Sequence, residues 1–234
     1  MYKVKCISTH GADKRTSINP SDEDYHWAYG EVKNVSDALI GGYRDTTAWT
    51  VLGHNGALDT AYDGLEVVAG LTATDVFDGV THQTTFVLTD VAQAVVDATE
   101  YQSTKLFNFP LGRIAVHGVV ATIAQKTTSA ILGTLNGASV GALGIGTAAA
   151  SATTLATTMV DLLPSTAFAS SAVINVAGTA VSAALAAPAQ FDGTVTAKDV
   201  YVNTAYATTT DVDANATQTL TGTITITWSN LGTV

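Results

Sequence analysis

Residues 219–228 read TLTGTITITW, and the alternation of this stretch decides the fold. Leu220, Gly222, Ile224, Ile226 and Trp228 fall on one face of an extended chain, and Thr219, Thr221, Thr223, Thr225 and Thr227 on the other. A period of two over this length suits a strand with one face on a core and one in water. Thr is β-branched, so the wet face favours extended backbone as well. Upstream, residues 194–206 (TVTAKDVYVNTAY) repeat the beat at Val195, Ala197, Val200, Val202 and Ala205, with a register break near Asp199. The run TTTDVDANAT between the two stretches is rich in turn residues. Two strands around a polar loop predict a hairpin and an all-β fold.

Working outward, residues 111–125 (LGRIAVHGVVATIAQ) form a second strong strand pattern, apolar enough near its middle to be buried on both faces. THQTTFVLTD (81–90) and VAQAVVDATE (91–100) each offer a short strand, and STKLFNFP ends one at Pro110. The Ala-rich run 148–163, AAASATTLATTMVDLL, permits one short helix among strands. SAVINVAGTAVSAAL (171–185) gives two more short apolar runs around Gly178. Strands at spacings near ten residues with Gly-rich turns predict an antiparallel β-sandwich, jelly-roll-like, over residues 71–234. No fixed repeat period runs through the chain.

Residues 1–70 differ from this body. They hold most of the basic residues and the aromatic cluster Tyr25, Trp27 and Tyr29, together with Trp49. NPSDEDYHWAYGEVKN (19–34) has neither a helical nor an extended period, and the segments after it are dense in turn residues. This segment is too rich in aromatics for ordinary disorder. It reads as an irregular N-terminal arm or subdomain that packs on another surface. Tyr25, Trp27, Tyr29 and Trp49 are the candidate partner-interface residues, because Trp and Tyr are favoured contacts.

Composition narrows the function classes. The 234 residues are 47% hydrophobic and only 13% charged, with a net charge of −10. Phosphate binding needs clustered Lys and Arg, so a nucleic-acid partner is not expected. Beyond Lys126 the only basic residue is Lys198, and the acids there are Asp161, Asp192, Asp199, Asp211 and Asp213. Over that half, either a Thr-coated surface meets water or a partner covers it. Cys6 is the only cysteine, which excludes an intramolecular disulfide and a thiolate metal cluster within one chain. The start MYKVKCISTHG has no apolar run after its lysines, so no secretory signal is expected. Residues 162–191 are uncharged but broken by Pro164, Gly178 and Pro188 and flanked by Asp161 and Asp192, the wrong setting for a spanning helix.

Three motifs resemble sites and fail on their own chemistry. GASVG (137–141) has the form of a nucleophile elbow around Ser139, yet none of His10, His26, His54, His82 and His117 follows it. GIGTAA (144–149) has dinucleotide-loop spacing but lacks the repeated βα units and the downstream acid. DVDAN places Asp211, Asp213 and Asn215 as a calcium loop does, with Ala216 and Gly222 where that loop needs Gly and Glu. The histidines lack metal-ligand spacing. No catalytic, cofactor or metal residue is therefore assigned, and no enzyme is expected.

The succession FNFPLGRIAVHGV, ATTLATTMVDLLPST, AQFDGTVTAKDVYVNTAY and LTGTITITWSNLG, within residues 75–234, resembles tailed-bacteriophage virion structural proteins of the head decoration or cement type. The resemblance implies a non-enzymatic capsid decoration protein that binds and stabilises the assembled shell. It implies a place on the capsid exterior after assembly in the bacterial host cytoplasm. Expected partners are the phage major capsid protein and further copies of the chain, a trimer before a dimer, with no nucleic acid and no membrane. The alternative role is a tail or fibre component that binds host-surface glycans through its aromatic strip.

Overall fold

The computed structural model describes residues 2–6, 12–14, 25–27, 32–35, 49–54, 56–58, 64–127, 141–167, 175–176, 181–183, 189–206 and 215–232. The chain divides into two compact units, residues 1–56 with 75–82, and residues 57–74 with 83–234. In the first unit the strands are β1 (Tyr2–Cys6), β2 (Ala12–Lys14), β3 (Tyr25–Trp27), β4 (Val32–Val35) and β5 (Trp49–His54). They form a three-stranded antiparallel sheet in the order β4-β1-β5 and a β2-β3 hairpin. Strands of three to six residues are too short to print a period on the sequence, so this segment reads as irregular.

The remaining strands are β6 (Gly56–Ala57), β7 (Leu71–Phe77), β8 (His82–Val95), β9 (Tyr101–Asn108), β10 (Gly112–Thr127) and β11 (Gly141–Gly146). They continue with β12 (Leu163–Ala167), β13 (Asn175–Val176), β14 (Val181–Ala183), β15 (Ala189–Gly193), β16 (Asp199–Tyr206) and β17 (Ala216–Asn230). One sheet runs β13-β10-β17-β8-β7-β6, with β14 and β15 also paired to β10; the other runs β12-β11-β16-β9. The fold is the all-β antiparallel sandwich expected from the sequence, and the chain passes between the sheets at β8–β9, β9–β10, β10–β11, β12–β13, β15–β16 and β16–β17.

β17 carries the alternation as expected. Leu220, Ile224, Ile226 and Trp228 are buried, and the threonines between them face outward. Its partners are β10 and β8, so each side of the strand is hydrogen-bonded. The predicted hairpin with residues 194–206 does not form. β16 lies in the opposite sheet between β11 and β9, and Val195 stands 92% exposed before the strand begins. Periodicity shows that both stretches are strands; it cannot show that their connection passes from one sheet to the other.

Two further expectations change in the same way. The two short strands expected over 81–100 are one strand, β8, whose burial pattern changes phase at Thr89–Asp90. Asp90 there has φ 51°, and Thr221 Oγ1 accepts from its backbone N–H at 3.1 Å and donates to its carboxylate at 3.0 Å. β10 is buried on both faces only at Ile114–Val116; beyond the bulge at His117 it alternates, and Val120 is half exposed.

The Ala-rich run 148–163 forms no α-helix. It is a loop with a single 3-10 turn at Thr157–Met159. Asn203, fully buried, holds this loop: its amide donates to Ala148 O at 2.9 Å and Met159 O at 2.7 Å, and its Oδ1 accepts from Ala150 N at 3.0 Å. The loop passes so close to β11 that a Cβ on Gly146 would lie 2.3 Å from Met159 C and 2.3 Å from Thr158 O. Backbone cannot yield as a side chain end does. Gly146→Val should therefore destabilise the sandwich by about 3 kcal/mol, while Gly118→Ala, with open space beside it, should be neutral or mildly stabilising. Denaturant unfolding of the two variants beside the parent protein measures this, and equal stability of all three would refute the close approach.

Candidate functional site

The inward face of the sandwich changes character along its length. Around Trp228 it is aromatic: Phe109 packs edge-on to Trp228 at 5.1 Å between centroids, and Phe107 packs edge-on to both Phe86 and Phe109. Trp228 Nε1 donates to Thr84 Oγ1 at 2.9 Å, which satisfies the indole inside the core.

Towards Gln218 the same face is polar. Gln93, Gln125 and Gln218 from the large sheet meet Thr104, Thr204 and Tyr206 from the small one, all buried. Gln218 Nε2 donates to Gln93 Oε1 and Thr204 Oγ1, both at 2.8 Å, while Thr204 Oγ1 donates to Gln93 Oε1 at 2.9 Å. Gln93 Nε2 donates to Thr104 Oγ1 at 3.0 Å, and Gln125 Nε2 to Tyr206 OH at 2.6 Å. Tyr206 OH donates in turn to Gln218 Oε1. These groups are uncharged and satisfy one another across the gap between the sheets. They stitch the sandwich together. Burial pushes the Tyr206 phenol far above its ordinary value, with the Gln125 hydrogen bond opposing weakly.

Ionisable groups outside this interior form small, separate arrangements. Lys105 Nζ lies 2.9 Å from Glu66 Oε1 and 3.3 Å from Asp199 Oδ1, and Tyr201 OH donates to Asp199 at 2.9 Å. Partial burial would lower the Lys105 pKa, but its two carboxylate partners carry it above the ordinary value. Burial raises the Asp161 carboxyl against the lowering effect of its hydrogen bonds from Thr147 N and Oγ1. Within the first unit, His82 Nδ1 sits 2.7 Å from Asp75 Oδ2 and stacks on Phe77 at 4.2 Å. Among the described residues no group of three or more His, Cys, Asp or Glu could hold a metal ion, and no helix is long and apolar enough to cross a membrane.

The sequence candidates are dispersed. Tyr25 and Trp27 lie two apart on β3, opposite Lys14 and Ala12, whereas Trp49 lies on β5 opposite Cys6 in the other small sheet. Tyr29, Ser139, Asp211, Asp213 and His10 fall outside the described residues, and His26 and His54 lie in β3 and β5. Gly144 and Gly146 serve the close passage of the loop over β11, with no helix following them. Asn215 Oδ1 accepts from Asp97 N at 3.0 Å, a strand-end contact. His117 Nε2 meets Ser229 Oγ at 2.9 Å beside the β10 bulge.

What remains is a surface. On the outer face of the large sheet, β8 presents Gln83, Thr85, Val87 and Thr89, β17 presents Thr221 to Thr227, and β10 presents Val120 and Thr122. Thr122 stands opposite Thr223 and Val120 opposite Thr225, and Thr85 Oγ1 meets Thr225 Oγ1 at 3.1 Å. Asp90, bound to Thr221, and His117 mark the borders, and the described side chains named between them carry no ionisable group. Sequence patterning had foreseen the threonines of β17; the partners that extend them sideways depend on the strand order.

No protein-family model and no curated protein matches the sequence. Among solved structures the chain is similar to one in the structure of infectious bursal disease virus Gt strain. Identity is 10%, the TM-score is 0.31, and the match covers 97% of this chain and 50% of that one. The chain thus spans half the length of that neighbour, and a likeness at this TM-score carries no argument about function. The neighbour is not a tailed-phage protein.

The polar interior makes its own prediction. Gln218→Ala strands the buried groups of Gln93, Gln125, Thr204 and Tyr206 and should cost about 3 kcal/mol. Alkaline pH acts through Tyr206. Its pKa is raised in the folded state, so above the unfolded value of about 10 the unfolded chain gives up a proton that the native one keeps, and stability falls. Phenolate absorbance followed through an alkaline titration should show one tyrosine ionising only as the protein unfolds. Complete ionisation in a still-folded protein would contradict the buried phenol.

Proposed function

We propose that this chain is a non-enzymatic virion structural protein, a decoration (cement) protein on the exterior of a bacteriophage capsid. The observation that carries the reading is the outer face of the large sheet, where Val87, Val120 and a field of threonines stand exposed without a charge between them. A chain with a net charge of −10 has acids to spare for solubility, yet Asp90 stands only at the border of this face. Such a face suits close contact with a large protein surface, since charged residues are depleted from the centres of interfaces.

The mechanism is mass action. A protein that binds only the assembled shell lowers the free energy of that state relative to its separated parts. The sandwich supplies a rigid backbone for the contact, which limits the entropy lost on binding. Tyr25, Trp27, Tyr29 and Trp49 form a second proposed contact set, on the strength of their residue types. The protein is assembled onto the shell in the host cytoplasm as a homo-oligomer, a trimer before a dimer, and its partner is the major capsid protein.

Val87→Lys and Val120→Lys test the face, because both side chains are already in solvent (39% and 48% exposed) and the fold should survive. In co-sedimentation with shells stripped of this protein, each variant should bind about tenfold more weakly or worse. Parental affinity in both would remove this face from the contact.

A further inference from the structure

The end of the sandwich nearest Trp228 is closed by loops that leave apolar side chains in water. Leu111 is 54% exposed, Val195 92% and Leu231 59%, each on a different segment. Their backbones are pinned together. Asn230 Nδ2 donates to Leu111 O at 3.1 Å, Leu231 N to Arg113 O at 2.7 Å and Arg113 N to Gly232 O at 2.8 Å. Phe109 N donates to Lys198 O at 2.8 Å, and Gly112 pairs with Gly193. A Cβ on Gly193 would lie 2.8 Å from Gly112 O, so the two segments approach as closely as glycine allows. The three apolar tips therefore project from fixed backbone, and a partner would find them already ordered.

The charges beside them are of both signs. Arg113 stands opposite Asp192 in the β10–β15 pairing, and both side chains are exposed. Hydrogen bonds from Thr194 hold the Asp192 carboxyl below its usual range, and the positive charges of Arg113 and Lys198 act in the same direction. Two cations flanking one acid are unusual in a chain of net charge −10, whose copies repel over most of their surface. Here that repulsion is absent, and each sign can find its opposite on an identical neighbour.

We infer that this rim is the self-association surface of the protein: Leu111, Val195 and Leu231 pack against the same rim of neighbouring copies around a symmetry axis, with Arg113 of one copy facing Asp192 of the next. A contact of this kind closes on itself, as cyclic oligomers require. It leaves the threonine face free, so it rests on the homo-oligomer part of the proposed function and not on shell binding.

Sedimentation equilibrium of the full chain tests the inference. The parent protein should be oligomeric at micromolar concentration. Val195→Asp and Leu231→Asp should each raise the dissociation constant about tenfold or more. Arg113→Asp and Asp192→Arg should each dissociate the oligomer, and an equimolar mixture of the two single variants should re-associate, because within each chain the paired positions still carry like charge and only a contact between copies gains from the mixing. Circular dichroism checks that each variant is folded. A monomeric parent protein, or an oligomer untouched by all four single substitutions, would overturn the inference. So would an oligomer broken only by Val87→Lys or Val120→Lys, which would move self-association to the threonine face. Single charge variants that dissociate and do not re-associate on mixing would overturn the Arg113–Asp192 pairing between copies. Shell binding by the Val195 and Leu231 variants is read separately, so the failure of one reading leaves the other standing.

Discussion

The structure of the second unit depends on one packing contact, the closure of two β-sheets over a shared interior. Trp228 and Phe86 from the large sheet and Phe107 and Phe109 from the other side make its aromatic centre. Buried aromatic and branched residues of this size each contribute about 1.5–3 kcal/mol, far more than any surface ion pair of the chain can. β7 to β12, β16 and β17 each turn buried residues towards this interior. The outward faces are left to be threonine, valine or charge as function requires.

The interior is not uniform, and the difference has consequences. At the aromatic end, contact is non-directional and tolerates sliding between the sheets. At the other end Gln93, Gln125, Gln218, Thr104, Thr204 and Tyr206 meet in hydrogen bonds that demand one alignment. A buried polar network adds little net stability over an apolar core, but a misaligned one is costly because each stranded group pays its desolvation. The neutral amides and hydroxyls also keep their hydrogen bonds through the acidic and neutral range, where a carboxylate lock would titrate. The sandwich thus holds one register and one outer-face geometry.

Much of this was legible in the sequence wherever a strand is long and wet on one side. TLTGTITITW announced its buried and exposed faces residue by residue, and β17 has both. What sequence periodicity lacks is information about neighbours. It made a hairpin of 194–206 and 219–228, which belong to opposite sheets, and it split β8 at Asp90, where the burial phase changes at a positive φ without ending the strand. The glutamine network escaped for a different reason. Gln93 sits between Val91 and Val95 on the inward beat, and Gln218 continues the beat of Leu220, so their parity was visible. Only the opposite sheet supplies the partners that make burial of an amide tolerable. Gly144 and Gly146 resembled a cofactor loop because close approach of a backbone, whatever the approaching group, selects the same residue.

The candidate site was legible only as a composition: few charges, many threonines and no catalytic spacing. The strand order turns that composition into a face with borders, and the loops at the aromatic end turn three scattered apolar residues into a rim. In the proposed role the face would meet a shell and the rim sister copies. Imaging the intact particle that carries this chain tests the account most directly. The account predicts two-sheet sandwich density on the outside of the head shell, with the face of Val87, Val120 and Thr223 against the capsid protein. Density in the tail, or absence of the chain from the particle, would contradict it.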